Sequence, residues 1–315
     1  MRQRKPRRLA TAIGWACVVL LAGAPAYGQI RGMYSPGATL TDGGSLPDPG
    51  VAISDQFWSN TSSSLKGPQG NPLALQDSVT VSSNTVTVAY VPKSTLLGAH
   101  LEFAVGFSTT KDSFVLRDPL LGGSGLSGGG AGLTNTNVEP IDLGWQFRRL
   151  DVQTGYSFYA PTGRYVAGAS GNTSSGFWTH SWQSGVTWYL TENKATQVSV
   201  YDVYLWNGVQ EGTGIRAGQN DSIDYSLSQT FAFADARWTL QVGAAGYGQW
   251  QTTENRGQLP IREALKYRVN GAGVTISFTS PFKGLFVAGS ALAEYGARNT
   301  YQGRTFTLTG GFAIG

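Results

Sequence analysis

Cysteine is almost absent from this chain of 315 residues. The single residue, Cys17, lies in an apolar run near the N-terminus, so the rest of the chain has no thiol for a disulfide. Histidine is nearly as scarce, with only His100 and His180, which argues against a zinc site of the usual kind. We therefore predict neither a metal nor another cofactor, and the stability of the fold must come from backbone pairing.

Charged residues are also few. They make up 13% of the chain, whereas a soluble globular domain has about 25%. The sequence is nevertheless too polar for a helical membrane protein, and it is rich in glycine (43 residues) and in aromatic residues (12%). This combination suits an outer-membrane β-barrel, in which lipid-facing and lumen-facing residues alternate and average out.

The first residues predict a cleaved signal peptide at residues 1–28. A basic region with five Lys and Arg precedes an apolar run from Leu9 to Leu21, and Ala26-Tyr27-Gly28 fits a small-x-small cleavage site. A membrane anchor is the alternative, but about 13 apolar residues are short for a span. Without this segment 18 basic residues face 19 acidic ones, so nucleic acid is not predicted as a partner.

Alternation of apolar and polar residues is clearest between residues 139 and 190. One run places Ile141, Leu143, Trp145 and Phe147 opposite Asp142, Gly144, Gln146 and Arg148, which is the period of two of a β-strand. A tight turn leads into a second run that ends at Ala160, and a Gly/Ser/Asn-rich loop precedes a third. Long strands joined alternately by a short turn and a long loop are typical of outer-membrane barrels.

The same alternation along the rest of the chain predicts an all-β fold, an up-and-down antiparallel transmembrane barrel of about 12 strands over residues 51–315. Closure is required because an open edge would leave backbone groups unpaired in lipid. A change of phase after Val200 predicts a β-bulge near Tyr201-Asp202. Aromatic residues near strand ends predict interfacial girdles, namely Trp145, Tyr159, Trp178, Trp188, Trp206, Trp238, Trp250 and Tyr295.

Residues 29–50 are dominated by glycine and proline and show no periodicity, so we predict irregular structure there. Two interpretations are open. The segment is either a periplasmic tail or a partial plug inside the barrel lumen.

Several short motifs resemble a known bacterial family. Residues 160–165 (APTGRY), 176–179 (GFWT) and 187–190 (TWYL) follow the order found in the family called "putative MetA-pathway of phenol degradation". Residues 34–37 (YSPG) and 46–50 (LPDPG) are similar to its N-terminal stretch, although Asp48 stands where the family has proline. Gly246-Tyr247 with Gln251 resembles its late GYxxxQ stretch.

This resemblance implies an outer-membrane barrel in a Gram-negative bacterium that takes up small hydrophobic or aromatic compounds passively. Expected partners are outer-membrane lipid, lipopolysaccharide, the barrel-assembly machinery and the solutes themselves. A structural or surface-binding barrel without transport is the alternative, and a lipid-modifying barrel enzyme is a third, less favoured one.

Catalytic motifs are weak. Residues 125–129 match G-x-S-x-G, but a nucleophile elbow needs a strand before it and a helix after it, and this motif lies in a glycine-rich loop. His180 has serines nearby, as the serine–histidine chemistry of outer-membrane phospholipases would need, yet the sequence favours a histidine at the lumen or rim. We therefore predict no catalytic residue.

The better candidates lie on the polar faces of the predicted strands, where lumen residues tune selectivity. We expect six charged residues to point inward, either as selectivity residues or as a bracing ion-pair network: Glu102, Asp142, Arg148, Asp224, Arg237 and Glu294. Arg164, which follows Pro-Thr-Gly, is a candidate for contact with an anionic ligand or lipopolysaccharide at the outer rim, or else braces its turn.

Overall fold

A computed structural model describes residues 31–73, 76–117, 125–169, 171–233, 238–257, 265–282 and 284–314. The predicted signal peptide and Arg237 lie outside these residues. Fifteen strands are present in them: β1 (Gly50–Leu65), β2 (Gln76–Val91), β3 (Thr95–Leu96), β4 (Ala99–Arg117), β5 (Gly125–Gly128), β6 (Ala131–Leu133), β7 (Thr136–Gln146), β8 (Leu150–Ala160), β9 (Thr179–Tyr189), β10 (Thr196–Asn207), β11 (Asn220–Phe233), β12 (Trp238–Gln251), β13 (Arg268–Thr279), β14 (Phe286–Arg298) and β15 (Tyr301–Ile314).

Twelve of these strands form one closed antiparallel barrel. Neighbouring strands follow the order β2-β1-β15-β14-β13-β12-β11-β10-β9-β8-β7-β4, and β4 pairs back with β2. The first and last strands meet from Val51 opposite Ile314 to Leu65 opposite Tyr301. The short strands β3, β5 and β6 pair with β4 outside this circuit. The predicted up-and-down barrel is confirmed.

The two ends of the barrel differ in their connections. Short turns at residues 147–149, 190–195 and 280–285 lie at the same end as the start of β1 and the end of β15. Longer connections at residues 161–178, 208–219 and 252–267 lie at the opposite end. Outer-membrane barrels place short turns in the periplasm and long loops outside, which orients this barrel.

The strands carry polar side chains inside and apolar ones outside, the reverse of a soluble β-protein. In β9 the inner-face residues Thr187 and Ser181 are 0% exposed, whereas Trp188 on the outer face is 54% exposed. Large exposed apolar side chains continue around the outer wall, as a lipid-facing surface requires. Among the described residues, no helix is long and apolar enough to cross a membrane.

The predicted bulge near Tyr201-Asp202 is wrong. β10 pairs without a register shift with both β9 and β11 through these residues. The apolar residues that suggested a change of phase, Val203 and Leu205, lie on the inner face and are buried by residues from the N-terminal segment. Tyr159, expected in an interfacial girdle, packs against the same inner cluster.

Residues 31–49 run inside the barrel. Tyr34 packs with Tyr201, Val203 and Leu205 of β10. Leu40 packs in a second cluster whose other members come from β12, β13 and β14, among them Tyr247. We call residues 31–49 the lumenal segment.

Candidate functional site

The lumenal segment is held at its first described residue by a buried ion pair. Arg31 donates from Nη1 to Glu294 Oε1 at 2.6 Å and from Nη2 to Glu294 Oε2 at 3.3 Å. The same carboxylate accepts hydrogen bonds from Asn60 Nδ2 at 2.9 Å, Tyr247 Oη at 2.7 Å and the backbone N–H of Gly303 at 2.6 Å. Glu294 is therefore a structural anchor that ties the segment to β14, β1 and β12.

Asp224 of β11 forms a second anchor in the middle of the segment. Its carboxylate accepts hydrogen bonds from Tyr34 Oη at 2.7 Å and from the backbone N–H groups of Gly37 at 2.9 Å and Thr39 at 3.1 Å. Gly37 has φ +80°, and a side chain there would meet Leu292. The turn that presents these donors therefore requires glycine.

A third set of contacts fixes the segment near the periplasmic end. Gly43 and Gly44 donate from their backbone N–H groups to Ser199 Oγ at 2.8 Å and Thr187 Oγ1 at 3.0 Å. Gly44 lies so close to β8 and β9 that any side chain would collide with the backbone of Thr187. Ser45 Oγ then donates to Asp151 Oδ2 at 2.8 Å.

Asp42 is an acid of the segment itself, and its side chain is exposed. Gln197 Nε2 donates to its Oδ1 at 2.9 Å. Partial desolvation by the surrounding barrel raises the pKa of Asp42 above the usual value for aspartate, the Gln197 hydrogen bond opposes that rise, and the Asp151 carboxylate adds to it. Its φ is +57°, a left-handed conformation that Asp and Asn tolerate better than most residues.

The lumenal segment does not fill the barrel evenly. The contacts described above, together with those of Gln56 to Ala38 O, Trp58 to Pro36 O and Leu46 over Gly144, bring it against β1 and β7–β14. The inner wall of β2 and β4 carries small side chains, namely Thr85, Thr87, Ala89, Ala104, Gly106 and Ser108. Two of these small residues, Ala89 and Ala104, are themselves buried.

Three carboxylates lie beside that wall, at the join of β4 and β7. Glu102 and Asp142 are register partners, and both are buried. Gln183 Nε2 of β9 donates to Asp142 Oδ2 at 3.0 Å and lies 3.5 Å from Glu139 Oε2. We call Glu102, Glu139 and Asp142 the acidic cluster.

The predicted lumen residues separate into three groups. Glu102, Asp142, Asp224 and Glu294 lie on the inner wall. Arg148 does not, and the expectation that it points inward was wrong. It lies in the turn after β7, pairs with Glu192 at 2.8 Å, and its side chain is 80% exposed. β7 ends at Gln146, so the alternation of the strand does not reach Arg148. Arg237, the last of the six, falls outside the described residues.

Arg164 lies in the long extracellular connection between β8 and β9, with an exposed side chain. Its backbone is fixed, because its N–H donates to Thr173 Oγ1 at 3.1 Å and its carbonyl accepts from Thr173 N at 3.0 Å. Pairing of the main chain leaves the guanidinium turned towards solvent at the outer rim.

Sequence reasoning missed several residues that contact the segment or the acidic cluster. The partner of Arg31, Glu294, is distant in sequence, so no nearby residue indicated an ion pair. Asp151 lies at the start of β8, directly after a turn. Glu139 lies out of phase with Asp142, so strict alternation assigns the two residues to opposite faces. The one available signal was Pro140 between them, because proline in a strand marks an edge or a bulge.

The remaining motifs show no catalytic arrangement. Ser127 lies in β5, opposite Val115 of β4, rather than in a strand-to-helix turn. His180 is on the outer face, where its Nδ1 lies 2.6 Å from Tyr156 Oη. Within the described ranges, no group of three or more His, Cys, Asp or Glu is arranged to hold a metal ion.

Solved structures with a similar fold are outer-membrane proteins. The COG4313 outer membrane channel from Pseudomonas putida F1 aligns with a TM-score of 0.65 and 13% identity, over 87% of this chain and 98% of that one. The β domain of the Bordetella autotransporter BrkA aligns with a TM-score of 0.54 and 11% identity, over 85% of this chain and 100% of that one. At these identities the likeness shows the fold alone.

No curated protein matches this chain in sequence. One protein family does. Its description is "Putative MetA-pathway of phenol degradation", and the match runs over residues 62–309, almost the whole barrel. With the closed barrel of 12 strands, this match places the protein in the outer membrane and shows that it belongs to the MetA-pathway phenol degradation family.

Proposed function

We propose that this protein is a passive channel that takes up small hydrophobic or aromatic compounds across the outer membrane. The observation that carries the proposal is the lumenal segment, which joins the barrel wall through side-chain hydrogen bonds and glycine contacts rather than as a strand of the sheet. Such a segment can shift without opening the barrel. The family's description, phenol degradation, supports aromatic compounds as the solute class.

In this proposal residues 29–50 gate a barrel formed by residues 51–315, and residues 1–28 direct export. Asp224 and Glu294 act as anchors of the gate rather than as selectivity residues, because donors from the segment occupy their carboxylates. Solutes pass beside the small inner residues of β2 and β4. Arg164 contacts anionic lipopolysaccharide at the rim, and Arg237 has the lumen role that its alternation predicts.

The test is solute influx into liposomes that contain the refolded protein and carry lipopolysaccharide, which slows direct permeation of aromatic compounds. The solutes are a neutral phenol, an aromatic acid and a small sugar, and heat-modifiable gel mobility establishes that the barrel is folded. We expect the phenol to enter faster than in liposomes without protein, and the sugar at the rate of the empty liposomes. Equal entry of all solutes would indicate a general pore.

A structural barrel without transport is the second candidate. It is favoured by the number of hydrogen bonds that hold the lumenal segment, including five donors on Glu294 and Asp224 from the segment itself. Influx indistinguishable from that of empty liposomes, both in the wild type and in a variant lacking residues 31–45, would establish this candidate in place of the channel.

A further inference from the structure

Three exposed arginines lie on the outer wall of the barrel near its extracellular end, and we call Arg268, Arg298 and Arg304 the arginine patch. Arg268 of β13 and Arg298 of β14 are register partners, so their Cα atoms are about 5 Å apart. The adjacent residues Val269 and Ala297 are each 1% exposed and belong to the lumenal cluster around Leu40. Because side chains alternate along a strand, both arginines point outward.

The arginine patch has no counter-charge among the described residues. None of the ion pairs in this part of the chain includes one of the three arginines. The acid in the same register row, Asp221, is two strands away from Arg268, on the far side of Trp250. Two strand spacings are about 10 Å, which is too far for an ion pair. Since like charges directly opposite each other destabilise a sheet, an external anion would stabilise Arg268 and Arg298.

The arginine patch lies at the depth of the lipid head groups. Trp250 is the register partner of Arg268 on β12, and tryptophan on the outer wall marks the membrane interface. On the other side, Arg304 pairs with Thr61, a hydroxyl residue of β1. The outer face of β15 becomes apolar one repeat closer to the periplasm, at Phe306. Arginines at this depth meet lipid phosphate groups, which a guanidinium binds through parallel hydrogen bonds.

A groove leads from the patch towards the middle of the outer wall. Between Val287 and Tyr295, the outward positions of β14 are occupied only by small residues, namely Gly289, Ala291 and Ala293. Larger exposed apolar side chains flank them on the neighbouring strands, Val274 and Ile276 on β13 and Phe306 and Leu308 on β15. The small residues span about 13 Å along the strand. A narrow apolar groove of this length suits a hydrocarbon chain, and it opens at Arg304, the register partner of Ala293.

The patch contains two separate cationic centres. Ala293 pairs with Ala272 as well as with Arg304, and Ala272 is four residues from Arg268 on β13. About 13 Å along the strand direction therefore separates Arg304 from the pair formed by Arg268 and Arg298. Two centres at this spacing match a ligand with two phosphate groups, whereas an ordinary phospholipid has one. The lipid A part of lipopolysaccharide carries a phosphate at each end of a disaccharide and several acyl chains.

We propose that the arginine patch and the groove of β14 bind lipid A in the outer leaflet. Arg268 and Arg298 bind one phosphate group, Arg304 binds the other, and an acyl chain lies along the groove. The site is separate from Arg164, which lies in an extracellular loop, and it does not depend on transport through the lumen.

The test titrates the refolded mature protein in detergent with bisphosphoryl lipid A, monophosphoryl lipid A and phosphatidylglycerol, and native mass spectrometry measures the bound fraction. We expect the wild type to bind the bisphosphoryl form on the order of tenfold more tightly than either other lipid, because one charged contact is lost with each of them. In Arg304→Gln the two forms of lipid A should bind alike. Combining Arg268→Gln with Arg298→Gln should weaken binding of the bisphosphoryl form by about a hundredfold.

Arg148→Gln is the matched control, because this exposed arginine lies in a periplasmic turn at the other end of the barrel. It should bind lipid A as the wild type does, and an equal loss there would overturn the assignment to the patch. Ala291→Phe, which fills the groove, should weaken binding of both forms of lipid A and keep the preference between them. Heat-modifiable gel mobility establishes that each variant is folded.

Two other results would refute the proposal. Phosphatidylglycerol bound as tightly as bisphosphoryl lipid A by the wild type would indicate a general surface for anionic lipid. Unchanged affinity for bisphosphoryl lipid A in the folded arginine variants would show that the patch does not bind its phosphate groups.

Discussion

Replacing Asp224 by asparagine tests whether the lumenal segment is held by the contacts described above. The carboxylate accepts from Tyr34 Oη at 2.7 Å and from the N–H groups of Gly37 and Thr39 at 2.9 and 3.1 Å. An amide has the same shape but only one acceptor oxygen and no charge. Hydrogen bonds to charged groups contribute about 1.5–3 kcal/mol each, and neutral ones about half as much. We therefore expect docking to weaken by about 3 kcal/mol, which is about a hundredfold in the equilibrium.

The assay uses a cysteine introduced into the segment. Cys17 is the only cysteine of the chain and lies in the predicted signal peptide, so Ser35→Cys gives one reactive thiol in the mature protein. If labelling by a maleimide requires release of the segment, its rate measures the docking equilibrium. Asp224→Asn should raise this rate about a hundredfold, and Tyr34→Phe, which removes one hydrogen bond, by about tenfold.

Asp221→Asn is the control, since this acid is on the same strand but on the outer face. Its labelling rate should equal that of the parent protein. An unchanged rate in Asp224→Asn, in a barrel that retains heat-modifiable mobility, would refute the anchor and require the segment to be held by its apolar contacts alone.

Three further predictions concern other parts of the molecule. Because partial desolvation inside the barrel raises the pKa of Asp42, the docked segment keeps this proton to a higher pH than the released segment does. Docking should therefore be strongest below the ordinary aspartate pKa, about 3.9, and weaken as the pH rises through the raised value; Asp42→Asn should reduce this dependence of the labelling rate. Gly185→Ala should displace the segment and increase single-channel conductance, because its new methyl group would collide with Gly43 O. Arg148→Ala should change neither conductance nor ion selectivity, since the side chain is 80% exposed in a periplasmic turn and outside the lumen.

The barrel could be predicted from the sequence because each strand carries its own signal. Alternation such as that of Leu101, Phe103 and Val105 against Glu102 and Ala104 assigns the two faces directly, and the inner positions in the structure agree. The placement of Glu102, Asp142, Asp224 and Glu294 on the inner wall followed from the same rule. Their partners in the lumenal segment could not follow, since the donors that it contributes to Asp224 and Glu294 come from residues 31–39, about 190 to 260 positions away.

Two departures from alternation had opposite meanings that the sequence alone does not separate. Val203 and Leu205 break the polar pattern of the inner face although β10 is regular, because the lumenal segment covers them. Glu139 and Asp142 are three residues apart, yet both lie on the inner face, because a β-bulge in β7 turns both inward. In a barrel with a lumenal segment, apolar residues in inner phase mark where the segment packs. Polar residues that are out of phase on either side of a proline mark a β-bulge, which turns both side chains towards the lumen.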